Sequence, residues 1–362
     1  MIFPFLAIVL LNIISGTTEG KFMQNTMEFL MQLLRTRSVT GNTDLAAEIV
    51  RARLDSLGLE VKVTNKGSVI ATMEGTTDDS AVISAHIDTL GAVVSRITSD
   101  GTLKYHCVGG FTANSIEGEY CQVETFTGRL ITGTILFSKT SVHAHGREKS
   151  SVKRSHDEMY IRLDDRADSS DAVKELGISV GNYIHFEPRA LHLSSGYVKS
   201  RHIDDKAGVA VLIAVAENLV SMKVKPQRNI HFLFTVHEEV GHGAAGWLPD
   251  NVSDFLAVDM GVCGADQTSD EKKVTVCAAD SSGPYNYELT KHLINLAEMN
   301  NIPYVVDTFP FYGSDAAAAM KMGLDARHAL VGPGVDTSHA IERTHEEGIK
   351  ATIDLVTIFA ME

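Results

Sequence analysis

Three apolar runs in this chain stop abruptly at acidic or imidazole residues, and that pattern constrains the fold more than any other feature. Ser80-Ala-Val-Ile-Ser-Ala85 runs into His86-Ile-Asp88, Asn229–Val236 into His237-Glu238-Glu239-Val-Gly241, and Asp254-Phe-Leu-Ala-Val258 into Asp259. The Asn229–Val236 run stays apolar instead of alternating, as expected of a strand buried on both faces of a parallel sheet. Carboxylates at the mouths of buried strands are disfavoured unless metal or proton chemistry uses them. His86 can bind a metal through one ring nitrogen while Asp88, two residues on, takes the proton of the other. A strand-end turn with a hydrogen-bonded His is the alternative.

Two further segments add polar groups. His202-Ile-Asp204-Asp205-Lys-Ala-Gly208 opens the apolar run Val209–Leu219, which has the length and composition of a buried helix. The adjacent acids serve either as an N-cap and macrodipole pair or as site residues. Gly208 lowers helix propensity in the first turn and is better explained by close backbone approach. Asp336-Thr-Ser-His339-Ala-Ile-Glu342 is a polar loop leading to the last helix.

Together these segments resemble the M42 aminopeptidases, within the larger group of two-metal exopeptidases that includes M18, M20 and M28. The resemblance rests on His86-Ile-Asp88, Asp204-Asp205-Lys-Ala-Gly208, Glu238-Glu239-Val-Gly241, Val258-Asp259, Gly313-Ser-Asp315-Ala and Ser338-His339, and spans residues 23–360. Their order matches, and the 35 residues from Asp204 to Glu239 accommodate one helix and one strand. Ile161-Arg-Leu-Asp164-Asp165 imitates the acidic pair but lies 74 residues before Glu239 and lacks the following Gly. It reads as a strand end in an inserted domain.

The resemblance implies two divalent ions per subunit, Zn first and Co or Mn as alternatives. Asp204 bridges both, His86 and Asp259 complete one ion's ligands, and Glu239 and His339 the other's. Glu238 is the general base for a metal-activated water, and Asp88 orients His86. The Asp204–Asp205 peptide is the expected place for a cis bond. The implied reaction is removal of the N-terminal residue of short peptides by a homo-oligomer. Mixed imidazole and carboxylate donors fit these metals better than thiolate-seeking or all-oxygen ones. Three carboxylates and a bridging hydroxide neutralise the two ions. A deacylase or amidohydrolase of N-acyl or small amide substrates, and a catalytically inactive peptide-binding or assembly subunit, remain as other readings. A glucanase is disfavoured, because Glu238 and Glu239 are adjacent rather than placed across a scissile bond.

The expected fold is α/β, a three-layer sandwich with a mixed central sheet, formed by residues 23–93 and 199–362. Between them, 94–198 holds short Thr-, Val- and Ile-rich segments broken by Gly, a pattern that suggests an inserted small β-barrel. In the resembled family such an insert mediates oligomerisation and borders the site. A net charge of −14 argues against nucleic acid as a partner. Four scattered cysteines, Cys107, Cys121, Cys263 and Cys277, point to buried thiols, with Cys263–Cys277 able to pair if the chain is exported. Residues 1–22 read as an apolar leader or an upstream extension. Ile2–Ile14 is too short to span a bilayer and is not preceded by Lys or Arg, so the mature form is expected off the membrane. The cytoplasm is favoured, with export following if 1–20 is a true signal peptide.

Overall fold

The computed structural model describes residues 16–146 and 153–362. The apolar run Ile2–Ile14, and residues 147–152 of the basic loop that follows Gly146, lie outside them. The core of the molecule is a mixed sheet. Asn229–Thr235, Ser80–His86, Val252–Val258 and Arg327–Asp336 lie side by side and parallel at its centre. Antiparallel strands Val69–Met73 and Glu60–Val63 extend one edge, and Glu342–His345, Tyr197–Ser200 and Leu191–His192 extend the other.

Alternate side chains along the central strands enter opposite cores, as the two-residue period of a strand requires. Ala81, Ile83, Phe232, Phe234, Leu256 and Val258 join the larger core, with helices Gly16–Arg35, Asp44–Ser56, Ile203–Met222, Tyr287–Met299 and Glu346–Met361. Val82, Leu233, Phe255 and Leu330 face a smaller core that includes Ala316 and Ala319 of helix Asp315–Lys321. The result is a three-layer sandwich. Helix Ile203–Met222 is apolar on nearly every side and buried along most of its length, which suits a helix packed by sheet and helices at once.

The six strands Gly91–Ile97, Leu103–Val108, Met159–Leu163, Leu130–Phe137, Tyr120–Glu124 and Tyr183–Phe186 close into a barrel in that order. Its interior is a separate core of Val94, Leu103, Val123, Ile135, Ile161 and Ile184. Residues 191–200 return to the large sheet beside Glu342–His345. The first helix among the described residues starts at Gly16, inside the segment that the sequence marks as a leader, and Phe22 and Met23 pack against the larger core. All four cysteines are free, so Cys263 and Cys277 are not joined. No helix among the described residues is long and apolar enough to cross a membrane.

Candidate active site

Parallel register explains how distant residues meet. His86 is level with Thr235, and Ala257 with Ser84, so the carboxyl ends of three strands open on one edge of the sheet. Glu238 and Glu239 follow one strand, Asp259 another, and His86 ends the third. Ligands of open α/β sheets collect at such an edge. Asp204 and Asp205 arrive from a non-helical turn ahead of the long helix, and the peptide between them is cis. Gly208 allows that turn to close: a Cβ there would overlap the Asp205 carboxylate and come within 2.6 Å of the Val258 carbonyl.

The two carboxylate oxygens of Asp204 face different imidazoles. Oδ1 is 3.1 Å from His86 Nε2 and Oδ2 is 3.3 Å from His339 Nε2. Glu239 Oε2 lies 3.6 Å from His339 Nε2, and Glu238 Oε2 3.9 Å from His86 Nε2. Donor atoms of His86, Asp204 and Glu239 lie within 4.8 Å of one another, as do those of His86, Asp205 and Asp259. A cavity of 790 Å³ opens onto this cluster, with Asp204, Glu238, Glu239, Asp259 and His339 in its wall. Met260, Val262, Phe309 and Tyr312 form an apolar side, and Asp266 stands exposed among the lining residues.

Both imidazoles are oriented by backbone carbonyls. His86 Nδ1 is 2.9 Å from the Asp88 carbonyl oxygen, and His339 Nδ1 is 2.5 Å from that of Gly110, in the barrel segment. A carbonyl only accepts, so each ring carries a proton at Nδ1 and turns Nε2 toward the carboxylates. The carboxylate of Asp88, the expected partner of His86, is 3.7 Å from Nδ1, within ion-pair distance, and makes its hydrogen bonds elsewhere. It accepts from the Glu238 and Glu239 amides at 3.1 and 3.3 Å and from the Thr40 hydroxyl at 2.7 Å.

Three more buried acids hold backbone in the same way; the sequence marked Asp205 only as half of an acidic pair and Asp315 only as part of a motif, and gave Glu342 no role. Asp205 accepts from the His86 and Gly208 amides. Asp315 accepts from the Thr235 hydroxyl and the Ala244 amide. Glu342 accepts from the amides of Ile203, Asp204 and His339. The Lys66 ammonium fastens the loop after the glutamate pair by donating to the carbonyls of His242, Gly243 and Ala245. Adjacency to Asp204 was a signal for Asp205, and the Gly-Ser-Asp match one for Asp315. Nothing local marked Lys66 or Gly110.

Other polar candidates lie apart. Asp164 and Asp165 are exposed at the end of a barrel strand. His202 and His231 are buried, and His237 stacks on His242 at 5.0 Å.

The electrostatics show excess negative charge. Asp88, Asp204, Asp205, Glu238, Glu239, Asp259, Asp315 and Glu342 crowd around two imidazoles. Burial, then repulsion from Asp204, pushes Glu239 up to about 8 and Asp259 up to about 7. Burial, then neighbouring Asp259, also raises Asp205. Burial would lower His339, but its bond to Asp204 and the charge of Glu239 raise it to about 10. Burial likewise opposes charge on His86, yet the Asp204 hydrogen bond and the surrounding carboxylates raise it well above the usual range. Burial disfavours the Asp204 anion, but hydrogen bonds from His339 and His86 outweigh it and hold that carboxyl low. In the metal-free protein, protons on Nε2 and on the carboxyls offset charge that cations would otherwise balance. The donor set therefore fits divalent metal.

A pH dependence follows. With Glu239, Asp259 and His339 raised on folding, the metal-free native state binds more protons than the unfolded chain above their ordinary values. Its stability must therefore fall as pH rises through those shifted values. The melting temperature of chelator-treated protein is expected to drop between about pH 4 and pH 10, and saturating Zn to abolish the drop. A flat profile without metal would contradict this charge assignment.

The M42 glutamyl aminopeptidase family profile matches residues 67–355. YhfE of Bacillus subtilis, named as a candidate aminopeptidase, is 44% identical over 335 residues, 92% of this chain and 96% of its own. An aminopeptidase from Desulfurococcus kamchatkensis superposes with a TM-score of 0.83 at 21% identity, over 94% of this chain and 95% of that one. The Pyrococcus horikoshii TET1 peptidase, which can assemble into a tetrahedron or a large octahedral shell, gives 0.79 at 23% identity, over 93% and 99%.

Proposed function

This chain belongs to the M42 aminopeptidase family and is a peptide-bond hydrolase, and on that premise we propose that it works as a two-metal enzyme on the free N-terminus of short peptides. The observation that carries the reading is the pair of imidazoles, each with Nδ1 on a carbonyl and Nε2 turned into a cluster of buried carboxylates. His86, Asp204 and Asp259 would hold one ion, and Asp204, Glu239 and His339 the other, with Zn the best match and Co or Mn alternatives. Bound there, the ions supply Lewis acidity toward water and the scissile carbonyl.

The protein's own groups do the rest. Glu238 lines the cavity beside His86 on a turn whose amides Asp88 pins, so its carboxyl is presented where it can take a proton from water and return it to the leaving amine. Asp88 acts through this turn and through the carbonyl that orients His86. The acidic wall favours the α-ammonium of an unblocked peptide, and the apolar wall of Met260, Val262, Phe309 and Tyr312 favours shelter of its side chain.

We also divide the chain into a catalytic part, 23–93 and 199–362, and an inserted barrel part, 94–198, although the first barrel strand already begins at Gly91 and residues 191–198 pair with the large sheet. The barrel would serve assembly as well as His339: Tyr120, Phe126 and Val180 are exposed on it, as suits a contact between copies in a homo-oligomer.

A panel of aminoacyl and N-acetyl-aminoacyl chromogenic substrates, assayed with added Zn, Co or Mn, tests the reading. Cleavage confined to the free-amine series is expected. Equal or faster chromophore release from acetylated substrates would remove the free-amine requirement, and release of acetate from them would replace the reading with a deacylase.

A further inference from the structure

We propose that Glu342 is a positioning residue that sets the site of the second metal ion by tying the Asp204 turn to the His339 loop. The proposal rests on the two-ion reading above. Glu342 opens the strand Glu342–His345, which pairs with Tyr197–Ser200 so that Glu342 lies level with Ser200, four positions before Asp204. Topology therefore sets its carboxylate between two segments far apart in sequence. Oε2 accepts from the Ile203 amide at 2.7 Å and the Asp204 amide at 3.0 Å, while Oε1 accepts from the His339 amide at 3.0 Å.

The side chain is 1% exposed and sits close to the Asp204 carboxylate. A buried carboxylate beside another is unfavourable unless specific donors compensate it, and here three backbone amides do. What it holds is a backbone that ordinary residues avoid. His339 has φ +63° and Thr337 φ +55°, in the left-handed region that favours glycine. Thr337 braces the loop through Ile341 and Ala340, but the bond to the His339 amide comes from Glu342.

Loss of that bond lets the loop relax and carries His339 Nε2 away from Asp204 and Glu239. Asp204 is shared by both ions, but His86 of the other ion keeps separate anchors. Asp205 holds the His86 and Gly208 amides, and the Asp88 carbonyl holds the His86 ring. The expected defect is therefore asymmetric.

Stepwise Zn titration by calorimetry, with bound metal counted after dialysis, tests this on the full chain. In Glu342→Gln one amide group replaces one acceptor with a donor, so the affinity on the His339 side should weaken about 10–100-fold while the other changes much less. High Zn should restore kcat with KM unaltered, and the visible spectrum of the Co-loaded protein should report one altered site. Glu342→Asp, which keeps the charge but shortens the reach, should show the same asymmetry if the Gln variant fails to fold. Equal weakening of both sites, or none, overturns the proposal. A wild type that binds a single ion overturns the two-ion reading and, with it, this assignment; two ions in the wild type with unchanged variants overturn Glu342 alone.

Discussion

Glu238→Gln is expected to keep its full metal content and to lose activity by about 10²–10⁴-fold in kcat, the usual contribution of a positioned acid–base group. Glutamine preserves the size of the side chain and its place in the cavity wall but cannot take up a proton. Glu238 has no ligand role in the proposed scheme, and its backbone is fixed by Asp88 rather than by its own carboxyl. Metal analysis beside steady-state kinetics on an aminoacyl substrate gives both numbers. A kcat within a few-fold of wild type would remove Glu238 as the base, and loss of one ion would make it a ligand instead.

Asp204→Asn should do the opposite and strike metal content first. The native side chain turns one oxygen toward His86 and the other toward His339, at 3.1 and 3.3 Å. An amide leaves one acceptor and places an NH2 group where the second ion would bind. It also removes a charge that both imidazoles face. Bound metal after dialysis is expected to fall from the two proposed ions per chain to one or fewer, with activity below detection at trace metal. Retention of two tightly held ions would show that Asp204 does not bridge them.

Much of this architecture is legible in the chain. Continuous apolar runs at 80–85, 229–236 and 254–258 mark buried central strands, and the observed sheet places them side by side and parallel. Gly-broken, Thr- and Val-rich segments mark the barrel, whose strands alternate inward and outward as in Leu130–Phe137. The residues singled out at the strand ends, His86, Glu238, Glu239 and Asp259, meet Asp204 and His339 around one cavity because parallel strands share an exit edge. The start of the first described helix was less legible: Gly16–Arg35 opens with the polar and small residues Gly-Thr-Thr-Glu-Gly-Lys.

What the sequence determined by itself is which groups are chemically able to act: hydrophobic runs specify strands, and strand ends leave their polar residues at a sheet edge. Which atoms hold those groups was decided by tertiary structure alone. The carboxylate of Asp88 turned out to grip the glutamate turn while its carbonyl oriented His86. Gly110 reached His339 from the barrel, and Glu342 joined two loops more than a hundred positions apart. The physical reason is that a hydrogen bond to a backbone amide or carbonyl depends on where the chain passes in space, and any residue offers such a group. Side-chain type therefore discloses the reacting groups, whereas their anchors appear only once the sheet has brought the segments together.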